Sequence, residues 1–145
     1  QGDDNLRPLD KKGRRQAEML VPMLSAFHPT AIYSALPQRC QQTAAPLADE
    51  LGKDISINKN FGDEAWENDP EAAKKAFRRV VNEGGVPVIV SQGGTIPGII
   101  EDLAPQFLKK PQEELKFKKA SVWVLSFNNG ELTGADYLPS PLPVR

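Results

Sequence analysis

The chain has one cysteine and one histidine in 145 residues, few aromatics (7%), no excess of either charge and no long apolar run. A single thiol, Cys40, excludes a disulfide within the chain and fits a reducing, cytoplasmic compartment. Eighteen basic against nineteen acidic side chains leave a net charge of -1, so no overall field draws the protein to nucleic acid or to an anionic membrane. Any anion site must therefore be local. The apolar runs, Val86–Val90 among them, fall far short of a bilayer span, and nothing at the start reads as a signal peptide. No cluster of Cys, His, Asp and Glu has metal-ligand spacing, so the domain is expected to use no metal. Repeats and coiled-coil heptads are also missing.

What is present is an ordinary globular balance, 39% hydrophobic and 26% charged, enough for one compact domain and its core. We place that domain at residues 1–138 and read residues 139–145 as a Pro-rich tail. The chain starts with Gln1 rather than Met and is expected to be one domain of a longer protein.

The pattern along the chain alternates helix and strand. Residues 1–9 read as an exposed loop carrying Arg7-Pro8-Leu9. Asp10 can cap a helix over 11–26, in which Ala17, Leu20, Val21, Leu24 and Phe27 recur at helical spacing, although Gly13 and Pro22 weaken it. A short strand (30–34), a helix over 38–51 and an extended piece at 54–57 follow. Residues 59–69 read as an irregular acidic loop. The next helix, 70–83, stops at Gly84-Gly85. Val86–Val90 is a continuous run of the kind buried on both faces of a parallel sheet. A turn at Ser91–Gly94 leads into a helix over 95–104, and Lys109–Lys119 reads as a charged, solvated connector. Residues 121–127 and 131–138, joined through Asn128-Asn129-Gly130, read as a hairpin. The expected fold is three-layer α/β/α with a mostly parallel sheet and a C-terminal hairpin.

Chemistry in such a fold gathers at the carboxyl ends of the strands. Arg39 falls in the first turn of the helix after Tyr33-Ser34, where free N–H groups and the helix dipole favour an anion. Its flat guanidinium can grip two phosphate oxygens at once. Ser91-Gln92-Gly93-Gly94 would add an amide side chain and backbone that can approach a ligand closely. The plain alternative makes both segments ordinary turns and Arg39 a surface ion-pair residue; composition leaves both readings open.

Three stretches together resemble the histidine phosphatase superfamily: Arg7-Pro8-Leu9-Asp10-x-x-Gly13-x-x-Gln16-Ala17, Tyr33-Ser34 with Arg39-x-x-x-Thr43, and Val88-Ile89-Val90-Ser91-Gln92-Gly93-Gly94-x-Ile96. The first two look most like its small SixA-type, phosphoglycerate mutase-like branch. The Gln before Gly93 looks like the C-terminal domain of two-domain MutT-type proteins, in which a Nudix hydrolase domain comes first. The likeness runs from about residue 3 to residue 138. It implies a phosphohydrolase in which a histidine attacks phosphorus and water then hydrolyses the phosphoenzyme. By that resemblance Arg39 and Gln92 would contact the phosphoryl group, Arg7 and Gly93 would border it, and Glu64 or Asp63 would protonate the leaving group. Substrates would be phosphorylated small molecules, including oxidised guanine nucleotides or dinucleoside polyphosphates, and Mg2+ would be needed only by an upstream Nudix domain. The oligomeric state is left open, a homodimer included.

Departures from the family pattern are equally specific. The chain has no Arg-His-Gly or Arg-His-Ala, and its one histidine, His28, reads as a loop residue before Pro29. Gln92 stands where the family keeps a second histidine; it donates hydrogen bonds but has no charge and no transferable proton. The family's first strand would precede Gln1, which is expected to expose the apolar edges of 31–33 and 86–90. A rival reading is a degenerate binding or docking module that keeps the anion clamp and has lost catalysis. Trp66 reads as an anchor of the acidic loop, with stacking on a nucleobase as the alternative. Cys40 reads as a buried inert thiol, a reactive one being the alternative.

Overall fold

A computed structural model describes residues 6–103, 122–128 and 131–138. Helix α1 (Lys11–Ser25) starts where Asp10 accepts a hydrogen bond from the Gly13 backbone N–H, 2.7 Å, satisfying one of the first-turn donors. It leads through His28 and Pro29 to β1 (Ala31–Ser34), then α2 (Gln38–Leu51) and β2 (Ile55–Ile57). Gly52, at φ +64°, closes α2 in the left-handed region where glycine is unstrained. The segment read as an irregular loop is ordered: a 3-10 turn (Lys59–Phe61) and α3 (Asp63–Asn68), after which the expected helix follows as α4 (Pro70–Glu83). Asp63 and Glu64 in the first turn of α3, and Pro70 opening α4 behind the capping Asp69, are helix-start signals that override the polar composition. Strand β3 (Pro87–Val90) and α5 (Ile96–Leu103) follow.

The three strands form a parallel sheet in the order β2-β1-β3, with Ile32 opposite Ile55 on one side and Val88 on the other. Side chains alternate between two cores. On one face Ile32 packs with Ala44, Leu47 and Ala48 of α2 and with Val21 and Leu24 of α1. On the other, Tyr33 and Ile89 pack with Phe61, Phe77, Val80 and Ile99. Phe61 is 1% exposed and meets Phe77 edge-to-face at 4.8 Å between centroids, which adds about 0.5–1.5 kcal/mol beyond its burial. The result is the expected three-layer α/β/α arrangement.

Three expectations need correction. Residues 31–33 are not an open edge, because β1 is hydrogen-bonded on both sides. Among the described strands β3 pairs with β1 alone, as the exposed edge expected at 86–90 requires. Its two faces meet the two cores, through Ile89 and Val88, but burial is incomplete, all four residues being half-buried. Phe27 lies beyond α1 and is exposed rather than part of its apolar stripe. A two-stranded antiparallel sheet, β4 (Val122–Asn128) and β5 (Glu131–Leu138), confirms the hairpin pairing, with Trp123 opposite Tyr137 and a register shift at Ser126/Phe127. The Asn129-Gly130 turn, the 109–119 connector and the 139–145 tail lie outside the described residues. No helix among the described residues is long and apolar enough to cross a membrane.

Candidate functional site

Strands β1 and β3 run side by side in the same direction, and past their ends the Ala35 N–H still donates to the Val90 carbonyl at 2.9 Å. The two turns that follow therefore leave the sheet at one carboxyl edge, next to each other. In the first turn Ser34 is fully buried, its hydroxyl donating to the Ala35 carbonyl. Pro37 then sets the extended entry to α2, and no side chain caps that helix. Arg39 is half-buried in the first turn of α2. The Arg7–Asp10 loop reaches the same helix, where the Leu9 N–H donates to Gln42 Oε1 at 2.7 Å; Arg7 is exposed on that loop.

The second turn is bound to the start of α3. Ser91 donates its hydroxyl to the Phe61 carbonyl. The Asp63 N–H donates to Gln92 Oε1 at 2.8 Å, and the Asp63 carboxylate in turn accepts from Thr95 Oγ1 at 2.7 Å and from the Gly94 N–H at 3.3 Å. Two glycines make room for this. A Cβ on Gly62 would stand 2.9 Å from Gln92 Oε1 and 3.4 Å from Ala35 Cβ, so Gln92 lies at the corner shared with the first turn. A Cβ on Gly94 would stand 2.9 Å from the Asp63 carboxylate. Gly93 is exposed at the tip, and the Gln92 carbonyl accepts from Thr95 and Ile96 as α5 begins.

Electrostatics link the two turns. Burial pushes the Cys40 thiol up to about 11; the neighbouring Arg39 charge opposes the shift and the Asp63 charge adds to it. Cys40, 5% exposed, is thus an inert core thiol, as its position on the sheet-facing side of α2 suggests.

Of the residues singled out in the sequence, Arg39, Gln92 and Gly93 lie on the two adjoining turns, and Glu64 is exposed on α3 directly after Asp63. Asp63 differs from the expectation of a proton donor: both its oxygens accept bonds from the β3–α5 turn. Trp66 covers Gly98 of α5, with the Lys74 ammonium 5.9 Å from its ring, so it anchors α3. His28, exposed and at φ +55°, sits before the amino end of β1, at the opposite edge of the sheet. Thr95, fully buried, was read only as the first residue of a helix; a hydroxyl after Gly-Gly at a helix start was its one available signal. Among the described residues no group of three His, Cys, Asp or Glu side chains is placed to hold a metal ion.

Comparison with known proteins bears on the family and the fold. Residues 1–80 match the histidine phosphatase superfamily (branch 1). The 8-oxo-(d)GTP phosphatase of Mycolicibacterium smegmatis is 46% identical over 97% of this chain, and the chain spans 43% of that relative's length. Among solved structures, the protein histidine phosphatase SixA complexed with tungstate superposes with a TM-score of 0.75 at 16% identity, over 97% of this chain and 88% of that one. A phosphoserine phosphatase from Entamoeba histolytica, in complex with 3-phosphoglyceric acid, gives 0.68 at 15% identity, over 92% and 85%. The shared fold is the phosphoglycerate mutase-like one. Matched over more than half its length by the family and over nearly all of it by a close relative, the chain belongs to the histidine phosphatase superfamily.

Proposed function

We propose that this chain is the histidine-phosphatase domain of a MutT-type protein with a Nudix domain upstream, and that the protein hydrolyses oxidised guanine nucleoside triphosphates or related polyphosphates in the cytoplasm. The single observation that carries the phosphate site is the convergence of the Arg39 turn and the Gln92 turn at the ends of adjacent parallel strands. The nucleotide assignment is supported by the name of the 46% identical relative. In this reading the Arg39 guanidinium grips two phosphoryl oxygens, and the Gln92 amide donates to a third. Gly93 and Arg7 border the anion. Glu64, exposed beside Asp63, supplies the proton to the leaving oxygen. The group that attacks phosphorus is the nucleophilic histidine that the family resemblance implies, which is not among the residues of this chain, and water then frees the phosphate. Charge spread over the equatorial oxygens makes such donors the main source of acceleration. This domain needs no metal of its own, and Mg2+ serves the Nudix domain.

In the full-length protein, Arg39→Ala is expected to lower phosphomonoester and 8-oxo-dGTP turnover by about a hundredfold or more, the loss typical of a transition-state clamp. An unchanged rate removes Arg39 from catalysis. One observation favours the rival, a binding module without turnover: the amide of Gln92 has no transferable proton. That reading predicts heat from inorganic phosphate in calorimetry of a protein that turns nothing over at this site.

A further inference from the structure

Gln92 has two ends, and only one of them can serve a phosphoryl oxygen. A backbone N–H can bond only to an acceptor, so the 2.8 Å contact with the Asp63 N–H commits the amide oxygen to α3 and turns its NH2 the other way. Left to itself, a glutamine amide could present its oxygen to an anion as readily as its NH2, and the oxygen would repel. Something must hold the favourable orientation. Asp63 is the residue that does so twice over: its N–H takes the amide oxygen, while its carboxylate ties α3 to Thr95 Oγ1 and the Gly94 N–H on the far side of the same turn. The turn is thus gripped from both ends by one residue. Gly62 and Gly94 let that grip close, since a Cβ at either would stand 2.9 Å from Gln92 or from Asp63.

We propose that Asp63 is a positioning residue that acts through Gln92, fixing its amide so that the NH2 is presented to the phosphoryl oxygens, and that it takes no part in proton transfer. The proposal rests on the phosphate-site reading above. It separates the two neighbouring acids: Asp63 orients, which leaves Glu64, exposed one residue further on, as the proton donor of the pair. A hydrogen bond from a neutral donor to a charged group, lost when the amide turns, corresponds to a fall in kcat of about tenfold or more.

The test is a double-mutant cycle in the full-length protein, read both as turnover and as resistance to urea. Asp63→Ala keeps the N–H but frees α3 from Thr95 and Gly94, so the N–H is no longer seated against Gln92. It is expected to lower kcat about tenfold with Gln92 present, and to change it little in a Gln92→Ala background, because there is no amide left to orient. Its effect on stability should be the same in both backgrounds. Asp63→Asn keeps one acceptor oxygen for Thr95 and should recover much of the rate. If Asp63→Ala does not fold, Thr95→Val removes one of the carboxylate's two donors, and it should show the same dependence on Gln92 in a milder form. An Asp63→Ala or Thr95→Val loss that persists undiminished without Gln92 overturns the proposal. So does Gln92→Ala with native turnover: if Arg39→Ala remains crippled, that outcome leaves the phosphate site standing and removes only the role given to Gln92 and Asp63. Native turnover in Arg39→Ala as well sinks the underlying site reading.

Discussion

Among the described glycines the one with least room offers the sharpest test of how α3 is held. Gly98, in α5, lies under the indole of Trp66: an ideal Cβ there would stand 2.1 Å from Cζ2 and 2.6 Å from Cη2. Replacing Gly98 with Ala sets two effects against each other. Alanine in a helix interior is favoured over glycine by about 1 kcal/mol. Against that, one methyl group forced into filled space costs about 1–3 kcal/mol, since the ring must leave its seat or the helices must part. A separation of 2.1 Å is far inside van der Waals contact, and the indole is rigid, so the cost falls in the upper part of that range, about 2–3 kcal/mol, and the clash should win with a net loss of about 1–2 kcal/mol. Urea denaturation of the full-length protein, following this domain's transition, measures it. In a Trp66→Ala background the obstacle is gone, and the same Gly98→Ala change should become stabilising by up to about 1 kcal/mol. If Gly98→Ala proves neutral or stabilising while Trp66 is present, the packing of α3 on α5 described here is wrong, and with it the route by which the acidic segment is fixed beside Gln92.

Two further expectations concern stability. The Cys40 thiol has its pKa raised by burial from 9.0 to about 11, so the neutral form favours folding; that contribution is complete below about pH 9 and is lost as the pH rises through 11. The urea midpoint of the native protein should therefore fall more steeply above pH 9 than that of Cys40→Ala, and parallel slopes would count against burial of the thiol. Arg78 on α4 forks onto Asp102 of α5, with Nε to Oδ2 at 3.0 Å, but the arginine side chain is 53% exposed. Arg78→Ala should cost only about 0.5–1 kcal/mol and less in high salt, and Arg78→Lys should not restore it fully, because an ammonium cannot make both bonds. A urea midpoint unmoved by Arg78→Ala at low salt would mean that the pair contributes nothing.

The helices with a marked start and stop could be read from local chemistry alone. Asp10 before α1, Pro37 before α2, and the Gly84-Gly85 pair after α4, at φ +79° and +76°, act within a residue or two of where they stand. Residues 59–69 were harder because their helix-start signals are packed into short elements: a 3-10 turn and the six-residue α3 look polar and irregular when only composition is weighed. The incomplete burial of β3 was also hidden, since an apolar run records what a strand could bury, whereas what covers it depends on the rest of the fold.

The candidate site divides along the same line. Arg39 and Gln92 were visible because each follows a strand and each has side-chain chemistry suited to an anion. The interactions that hold Gln92 were not visible, because they join positions 29 to 32 residues apart. Gly94 and Gly98 show why. Nothing local asks for glycine at either position: Gly98 is inside a helix, where glycine is unfavourable, and neither is recorded at a positive φ. What they provide is closeness to Asp63 and Trp66, two side chains of one short helix. A glycine kept for space has meaning only once its partner is known, and that partner is set by how α3 crosses the end of β3. The residues that would touch phosphate can thus be proposed from a single sequence, while the residues that aim them emerge only from the packing.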